Sequence, residues 1–292
     1  MKATLNAYAK INLYLDIVGK RENGYHDIKG IMHKISLCDT VSVDVEKCDK
    51  NVISLACSVD GIPTDRTNIA YKAAEFYLER YTTDTYSVAI HIEKRIPAAG
   101  GLAGGSTDGA AVLRALHSII GGVEYEALIT DSARLGADVP FCMVDSAMIT
   151  QGIGDILTPC PSLPECAILI CNTTEAVSTP LAYGKLDEIY DDFKEAQFDT
   201  DRFSTLMQGL EHEDLALVSS GMFNIFEEAV LTECPLAREV KDIMAGLGAI
   251  GVMMSGSGST IFGIFKNENE AKSSYDKLSS LGYVTHICKN SK

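Results

Sequence analysis

The amino-terminal residues alternate between apolar and polar side chains. Over residues 5–18 every odd position is apolar, and the series ends with Leu13, Leu15 and Ile17. A period of two residues is typical of a strand with one buried face and one solvated face. We therefore predict a half-buried strand. Its solvated face carries Lys10, Asn12, Tyr14 and Asp16.

Further strands and helices are predicted up to residue 140. The predicted strands are 28–37 and 88–92, and the predicted helices are 68–80, a helix after Thr107 that stops at Gly121, and 124–136. Apolar residues at helical spacing favour these helices, and Thr67 is the expected N-cap of the first one. The amino-terminal half therefore mixes strands and helices.

Beyond a proline-rich stretch at 159–164 the order of elements changes. We predict strands over 166–172, 249–254, 260–265 and 283–288, with helices between 186 and 247 and over 268–281. Apart from extra helices this order is β-α-β-β-α-β, the split βαβ pattern of ferredoxin-like domains. The predicted fold class is α+β, with two domains, 1–160 and 161–292, that meet at the proline-rich stretch.

The composition is that of a globular protein with a strongly acidic charge. Of the 292 residues, 46% are hydrophobic and 22% are charged, and the formal net charge is −15. That charge repels nucleic acid and anionic membranes, so we predict neither as a partner. No window of 18 apolar residues predicts a membrane span, and the amino terminus lacks a signal-peptide pattern.

The nine cysteines and six histidines show no metal-ligand spacing. The cysteine count is odd and no C-x-x-C pair occurs, which is typical of reduced thiols in a cytoplasmic protein. We therefore predict a cytoplasmic protein in which no side chains form a metal site.

A run of small residues separates the strand at 88–92 from the helix that follows it. The run, hereafter the glycine-rich segment, consists of Pro97, Ala98, Ala99, Gly100, Gly101, Leu102, Ala103, Gly104, Gly105, Ser106 and Thr107. Small residues let a backbone approach an anion closely, and a helix amino terminus presents unpaired N–H groups to it. The segment therefore predicts a phosphate site, although a plain strand-to-helix turn selected for packing fits the segment alone equally well.

Three motifs in order resemble those of the GHMP kinases. They are Ala7-Tyr8-Ala9-Lys10-Ile11-Asn12-Leu13, the glycine-rich segment, and Met254-Ser255-Gly256-Ser257-Gly258-Ser259. Within this family the segments at 19–26, 135–141, 151–155 and 178–180 resemble those of the diphosphocytidyl-methylerythritol kinases. The resemblance implies an amino-terminal domain like that of a ribosomal protein and a ferredoxin-like second domain. It also implies transfer of the γ-phosphate of ATP to the C2 hydroxyl of the methylerythritol unit, in isoprenoid precursor synthesis.

The same resemblance implies two catalytic residues. Asp138 is expected to accept the proton of the attacking hydroxyl, and Lys10 to neutralise charge on the transferred phosphoryl group. Each residue also has a simpler interpretation. Asp138 suits an N-cap before Pro140, and Lys10 suits the solvated face of a strand.

Other residues receive binding roles from the resemblance. The substrate-binding residues are expected to be Asn12, Tyr25, His26, Thr179 and Tyr183, with Tyr25 stacking on the cytosine and His26 bonding its edge. Asn68 and Lys94 are expected near the adenosine of ATP, and Ser255, Gly256, Ser257 and Gly258 are expected to support the site. Mg²⁺ is expected to accompany ATP. The chain is expected to be a monomer or a homodimer.

Three rival functions remain open from the sequence. Another GHMP kinase, acting on homoserine or a mevalonate-type substrate, would share the three general motifs. A GHMP-like regulator would bind a ligand without turnover, but the chain retains both Lys10 and Asp138. A nucleic-acid-binding module with the same amino-terminal topology conflicts with the acidic net charge.

Overall fold

A computed structural model describes residues 1–98, 100–173, 175, 177–190, 193 and 199–290. The strands among these residues are β1 (Lys2–Lys20), β2 (His26–Lys47), β3 (Val52–Cys57), β4 (Tyr86–Glu93), β5 (Met148–Gln151), β6 (Ile156–Pro159), β7 (Ala167–Asn172), β8 (Phe223–Asn224), β9 (Gly251–Met254), β10 (Ile261–Phe265) and β11 (Val284–Lys289). The helices are α1 (Ile69–Tyr81), α2 (Gly104–Ile120), α3 (Tyr125–Ser132), α4 (Val139–Met143), α5 (Thr179–Ile189), α6 (Thr200–Glu211), α7 (Leu215–Gly221), α8 (Phe226–Val230), α9 (Pro235–Gly246) and α10 (Glu268–Ser280).

The chain forms two compact units that interleave along the sequence. The first unit consists of Met1–Ala9, Leu37–Ala98 and Ala103–Asp145. The second unit consists of Lys10–Ser36, Ala99–Leu102 and Ser146–Lys292. The long strands β1 and β2 each run from one unit into the other. The domain boundary near residue 160 stays a prediction.

In the first unit a sheet packs beside two paired helices. The carboxyl-terminal half of β2 pairs antiparallel with β4, and β3 pairs parallel with β4 on its other side. α1 and α2 lie so close that a Cβ on Gly109 would be 2.6 Å from Ile69. The N-cap of α1 is Asn68, whose side chain accepts from the amide of Ala70, so the predicted cap Thr67 was wrong by one residue.

The polar face of β1 is buried, so the prediction that this face meets solvent was wrong. Tyr14 is fully buried, and Lys10, Asn12 and Asp16 are each at most 4% exposed, although all lie on the face expected to meet solvent. In the second unit the Tyr14 ring packs against Phe203 and Phe223, with ring centroids 5.3 and 5.7 Å away. β1 is therefore covered on both faces over this stretch. The polar alternation reflects a buried polar layer instead of contact with water.

The second unit contains the predicted ferredoxin-like sheet. Its strand order is β11-β7-β10-β9 with antiparallel neighbours, as expected for the split βαβ pattern. The strand β7 is buried along its whole length, and α9 and α10 cover the sheet with Val240, Met244, Ala271 and Leu278. β5 pairs with β2 and β6, and β8 pairs with β1. No helix in the described parts of the chain is both long and apolar enough to cross a membrane.

Candidate active site

A buried lysine and asparagine lie next to each other on β1. Lys10 Nζ donates to Asn12 Oδ1 over 2.6 Å, and the two residues are 4% and 1% exposed. Asn12 Nδ2 is also buried and has no hydrogen-bond partner among the described residues. A buried donor without an acceptor is costly, so a native structure that keeps one has usually reserved it for a ligand or a water molecule.

Two glycine-rich loops meet this pair within the second unit. The amide of Lys10 donates to the carbonyl of Leu102, in the glycine-rich segment, over 3.2 Å. A Cβ on Gly256, in the loop 255–258, would lie 3.4 Å from Lys10 Nζ. Ser255 Oγ joins the two loops by donating to the carbonyl of Gly101 over 3.0 Å. The structure therefore brings Lys10, Asn12 and both predicted loops together.

Gly101 is the tightest point of this contact. Its φ is +73°, a left-handed value that favours glycine, and an added Cβ would lie 2.0 Å from the carbonyl oxygen of Ser255. A methyl group at this position has to displace backbone from the loop 255–258.

Gly101→Ala is therefore expected to displace one or both loops and to raise the KM for ATP by at least about tenfold, which corresponds to 1.4 kcal/mol. Gly61→Ala is a matched control, since Gly61 has a φ of +83° and nothing within 4 Å of an added Cβ. The control is expected to cost about 1 kcal/mol of stability with no change in KM. Steady-state kinetics and thermal melts of both variants measure this, and similar KM values for both variants would contradict it.

Asn224 anchors the loop 255–258, and the sequence analysis missed it. Its Nδ2 donates to the carbonyls of Met254 and Gly256, each over 2.8 Å, and its Oδ1 accepts from the amide of Phe226. Asn224 lies 30 residues or more before these carbonyls, in the two-residue strand β8. No local pattern marks such a residue, because its partners are brought to it only by folding.

Thr179 also contacts the loop 255–258. Its hydroxyl lies 2.8 Å from the hydroxyl of Ser257, at the start of α5. Thr179, which is predicted to bind the substrate, therefore lies beside Ser257, which is predicted to support the site.

The start of α2 carries the rest of the glycine-rich segment. Ala103 occupies the N-cap position with a left-handed φ of 59°. Thr107 Oγ1 donates to the carbonyl of Tyr8 over 2.9 Å, which attaches the first turn of α2 to β1. Pro97 and Ala98 precede this helix start, and Gly105, in its first turn, is exposed. Ala99 lies outside the described residues.

Asp138 stands at the N-cap position of α4 without capping it. Its backbone is in the right-handed helical region, and its side chain makes no hydrogen bond to the amides of the helix start. The residue is half-buried. Gly136 lies near Ser106, because a Cβ on Gly136 would be 3.9 Å from the Ser106 hydroxyl. Within the first unit, the segment that carries Asp138 therefore adjoins the start of α2.

The two predicted adenosine contacts have partners within the protein. The Asn68 side chain caps α1 and also donates to the carbonyl of Pro63 over 2.7 Å. The Lys94 ammonium lies in a buried cluster with Asp39 and Asp108. Contact of either residue with adenosine stays a prediction.

Two aromatic residues of the second unit, Tyr183 and Phe193, pack against His26. The His26 ring stacks on Tyr183, with centroids 4.8 Å apart, and meets Phe193 edge to face. His26 Nε2 lies 2.8 Å from Asp187 Oδ1, a partner that the sequence analysis did not identify. Tyr25 is 60% exposed beside this group. Tyr183 turns one ring face to His26, and its predicted contact with the substrate stays a prediction.

Two family profiles match the chain on either side of the proline-rich stretch. Residues 68–146 match the GHMP kinases N terminal domain, and residues 206–284 match the GHMP kinases C terminal domain. Over 284 residues the chain is 41% identical to a 4-diphosphocytidyl-2-C-methyl-D-erythritol kinase of Alkaliphilus metalliredigens, covering 97% of this chain and 94% of that protein. The chain belongs to the 4-diphosphocytidyl-2-C-methyl-D-erythritol kinase family. A family member from Caldicellulosiruptor saccharolyticus is 39% identical over 275 residues, which cover 94% and 92% of the two chains.

Solved structures confirm the fold class, and one of them agrees with the family. A crystal structure of 4-(cytidine 5'-diphospho)-2C-methyl-D-erythritol kinase superimposes with a TM-score of 0.78 and 29% identity, covering 99% of this chain and 100% of that one. A homoserine kinase from Cytophaga hutchinsonii has a TM-score of 0.76 at 18% identity, covering 99% and 94% of the two chains, and shares the fold. The predicted α+β GHMP kinase fold is therefore correct.

Proposed function

We propose that this chain is an ATP-dependent kinase that phosphorylates the C2 hydroxyl of 4-diphosphocytidyl-2-C-methyl-D-erythritol. The products are the 2-phosphate and ADP, in the methylerythritol phosphate route to isoprenoid precursors. Family membership over nearly the whole chain supports the substrate and the reaction. The observation that carries the chemistry is the buried Lys10–Asn12 pair against two glycine-rich loops.

The Lys10–Asn12 pair suits a site for a transferring phosphoryl group. Phosphoryl transfer needs charge neutralisation and alignment more than covalent chemistry. A buried ammonium group acts in a low-dielectric environment, where its attraction to a phosphate is stronger than in water. Asn12 Nδ2 is a buried donor that lacks an acceptor in the described part of the chain, and a substrate oxygen would satisfy it.

Asp138 has the role of proton acceptor in this proposal. Its carboxylate makes no capping hydrogen bond to α4, so accepting the hydroxyl proton does not compete with holding the helix. The base acts only within hydrogen-bond reach of the attacking hydroxyl, which the bound substrate provides. Near the triphosphate, the amides at the start of α2 and Ser106 bind phosphate oxygens.

Mg²⁺ is expected to enter with ATP. The described residues contain no group of three or more His, Cys, Asp or Glu side chains that could hold a metal ion. A magnesium ion carried mainly by the triphosphate oxygens fits this arrangement, since Mg²⁺ commonly keeps several waters and binds substrate phosphates. When bound, the ion neutralises charge on the phosphates.

The direct test incubates the protein with Mg·ATP and 4-diphosphocytidyl-2-C-methyl-D-erythritol. We expect ADP release and a product heavier by one phosphoryl group in the mass spectrum. Homoserine and mevalonate in parallel reactions test the other GHMP kinase activities. Turnover of either compound without turnover of the cytidylyl substrate would overturn the proposed substrate.

Tyr25→Ala is expected to raise the KM for the cytidylyl substrate and to leave the KM for ATP nearly unchanged. Tyr25 is exposed, and stacking of a base on an aromatic ring contributes about 1–3 kcal/mol, or roughly 5- to 150-fold in KM. Tyr25→Phe is the matched control, because it keeps the ring. Equal increases in both KM values would argue against the stacking role.

The remaining expectations concern the cellular location, the partners and the oligomeric state of the enzyme. The nine cysteines are all described residues and no disulfide joins any two of them, in keeping with a reducing cytoplasm. The net charge of −15 disfavours nucleic acid as a partner. Light scattering on the purified chain distinguishes the expected monomer or homodimer from larger assemblies.

A further inference from the structure

A buried cluster of one lysine and two carboxylates lies at the start of α2. Lys94 Nζ is 2.5 Å from Asp39 Oδ2 and 2.6 Å from Asp108 Oδ2, and at most 7% of each side chain is exposed. Charges buried away from water are strongly destabilising unless they are paired, so the three groups hold one another in place.

Each member of the cluster holds a different segment of the first unit. Asp39 belongs to β2, and its Oδ1 accepts from the amides of residues 95–96 over 2.5 and 2.8 Å. Asp108 lies one turn into α2. Lys94 Nζ lies 3.1 Å from the position that a Cβ on Gly104 would take. One ammonium group therefore fixes β2, the turn that leads into the glycine-rich segment, and the first turn of α2.

The Asp108 carboxyl is poorly suited to a permanent charge. Its Oδ1 is buried and has no hydrogen-bond partner among the described residues. Burial raises the pKa of Asp108 to about 7, and the neighbouring Asp39 carboxylate raises it while Lys94 lowers it. For Lys94, burial lowers the pKa, but the two carboxylates outweigh burial and raise it, so the lysine keeps its proton. Both forms of Asp108 are thus accessible near neutral pH.

Two other elements that pack on α2 bring apolar residues to it. Among the described residues, the charged groups that act on Asp108 are Lys94, from the turn after β4, and Asp39, from β2. On the side of α1, Ile69 packs against the neighbouring Gly109. The helix α4, which also packs on α2, consists of five buried residues without charge. The ionisation of Asp108 is therefore set by two protein charges and by any ligand charge at the start of α2.

We propose that the cluster of Lys94, Asp39 and Asp108 positions the first turn of α2 for the phosphates of ATP, and that Asp108 takes up a proton when those phosphates bind. The proposal rests on the proposed function, because it places a triphosphate at the start of α2. Gly104 and Asp108 are four residues apart in the helix, or about 6 Å along its axis. Negative charge at that distance opposes an ionised carboxylate and favours its neutral form.

The charge balance supports this step. With both carboxyls ionised the cluster has one positive and two negative charges, and it repels a triphosphate. A proton on Asp108 makes the cluster neutral, and the carboxyl then donates to Asp39. The proton comes from the solvent and returns to it when the nucleotide leaves. Lys94, Asp39 and Asp108 are positioning residues, since they act on the phosphates through the helix start.

Calorimetry of Mg·ATP binding without the acceptor substrate tests the proton step. Titrations in buffers of different ionisation enthalpy count the protons taken up for each nucleotide bound. At pH 8 we expect the wild-type protein to take up several tenths of a proton more than Asp108→Asn. From pH 7 to pH 9 its affinity should fall by up to about tenfold, the equivalent of a shift of one pKa unit. Asp108→Asn should bind at least as tightly at pH 8 with a much flatter pH dependence.

Two further variants make the experiment specific. Asp16→Asn removes a carboxyl of the second unit that is also buried, with a pKa raised to about 6 by burial, and it should keep the wild-type proton uptake. Lys94→Met should raise the KM for ATP by about tenfold while the KM for the acceptor stays within about twofold. If Lys94→Met fails to fold, the calorimetry of Asp108→Asn decides.

The outcomes separate this proposal from the proposed function. Equal proton uptake by the wild type and Asp108→Asn would overturn the proton step while Mg·ATP binding still supported the kinase. A loss of affinity in Asp108→Asn that was the same at pH 7 and pH 9 would indicate a merely structural role and would also overturn it. A wild-type protein that did not bind Mg·ATP would overturn the proposed function and this inference with it.

Discussion

Asp138→Asn is expected to lower kcat by about 10²- to 10⁴-fold, the usual contribution of a positioned general base. The KM for ATP should change little, because the change removes a proton acceptor and keeps the size of the side chain. The start of α4 should keep its structure in this variant, since the Asp138 side chain makes no capping hydrogen bond to that helix. Rapid-quench measurement of product formation tests the expected loss of rate, and a thermal melt tests the stability.

The matched control for this variant is Asp145→Asn. Asp145 lies seven residues later in the first unit, and its side chain is 62% exposed in an ion pair with Arg114. The control removes a carboxylate of the same unit and should retain nearly the full kcat, because exposed ion pairs contribute little. If Asp138→Asn also kept near-normal turnover, Asp138 could not be the base.

Lys10→Met is the second change with a large expected effect, a fall in kcat of about 10²- to 10³-fold. It removes the buried ammonium group that is expected to neutralise the transferred phosphoryl group. It also leaves Asn12 Oδ1 without its donor, which costs about 1–3 kcal/mol of stability. We therefore expect both a slower reaction and a lower melting temperature, measured on the same preparation.

A second buried lysine separates these two effects. Lys34 lies in β2 within the second unit and is 4% exposed, as is Lys10. Lys34→Met should lower the stability while leaving kcat close to the wild-type value. Lys10→Arg keeps the charge, but a larger head group beside Gly256 should recover only part of the rate. A Lys10→Met protein as active as Lys34→Met would refute the catalytic role of Lys10.

The predicted segments and the predicted order of elements depend on local patterns. The small residues of the glycine-rich segment predicted a turn between a strand and a helix, and the structure has a helix start there. The β-α-β-β-α-β order predicted the sheet β11-β7-β10-β9. Each of these features is encoded by neighbouring residues, through periodicity, turn preference and helix capping, and so it can be predicted from one sequence.

The burial of the polar face of β1 could not be predicted in the same way. A period of two residues states that two faces differ, but it does not state what covers the polar one. Here Tyr14 meets Phe203, which lies 189 positions later, and Lys10 meets the loop at Gly256. The expected solvent-facing strand is a buried polar layer, and that burial is what makes the Lys10–Asn12 pair suitable for phosphoryl transfer.

By itself the sequence determined the α+β class, the acidic charge, the three motifs and the segments that carry the candidate catalytic residues. The tertiary structure alone decided that Asn224 holds the loop 255–258, that Asp187 pairs with His26, and that Lys94 joins Asp39 and Asp108. Most of these partners are separated by 30 to 161 residues. Local propensity does not specify such pairs, because the free energy that selects them comes from burying polar groups against one another after the chain has folded.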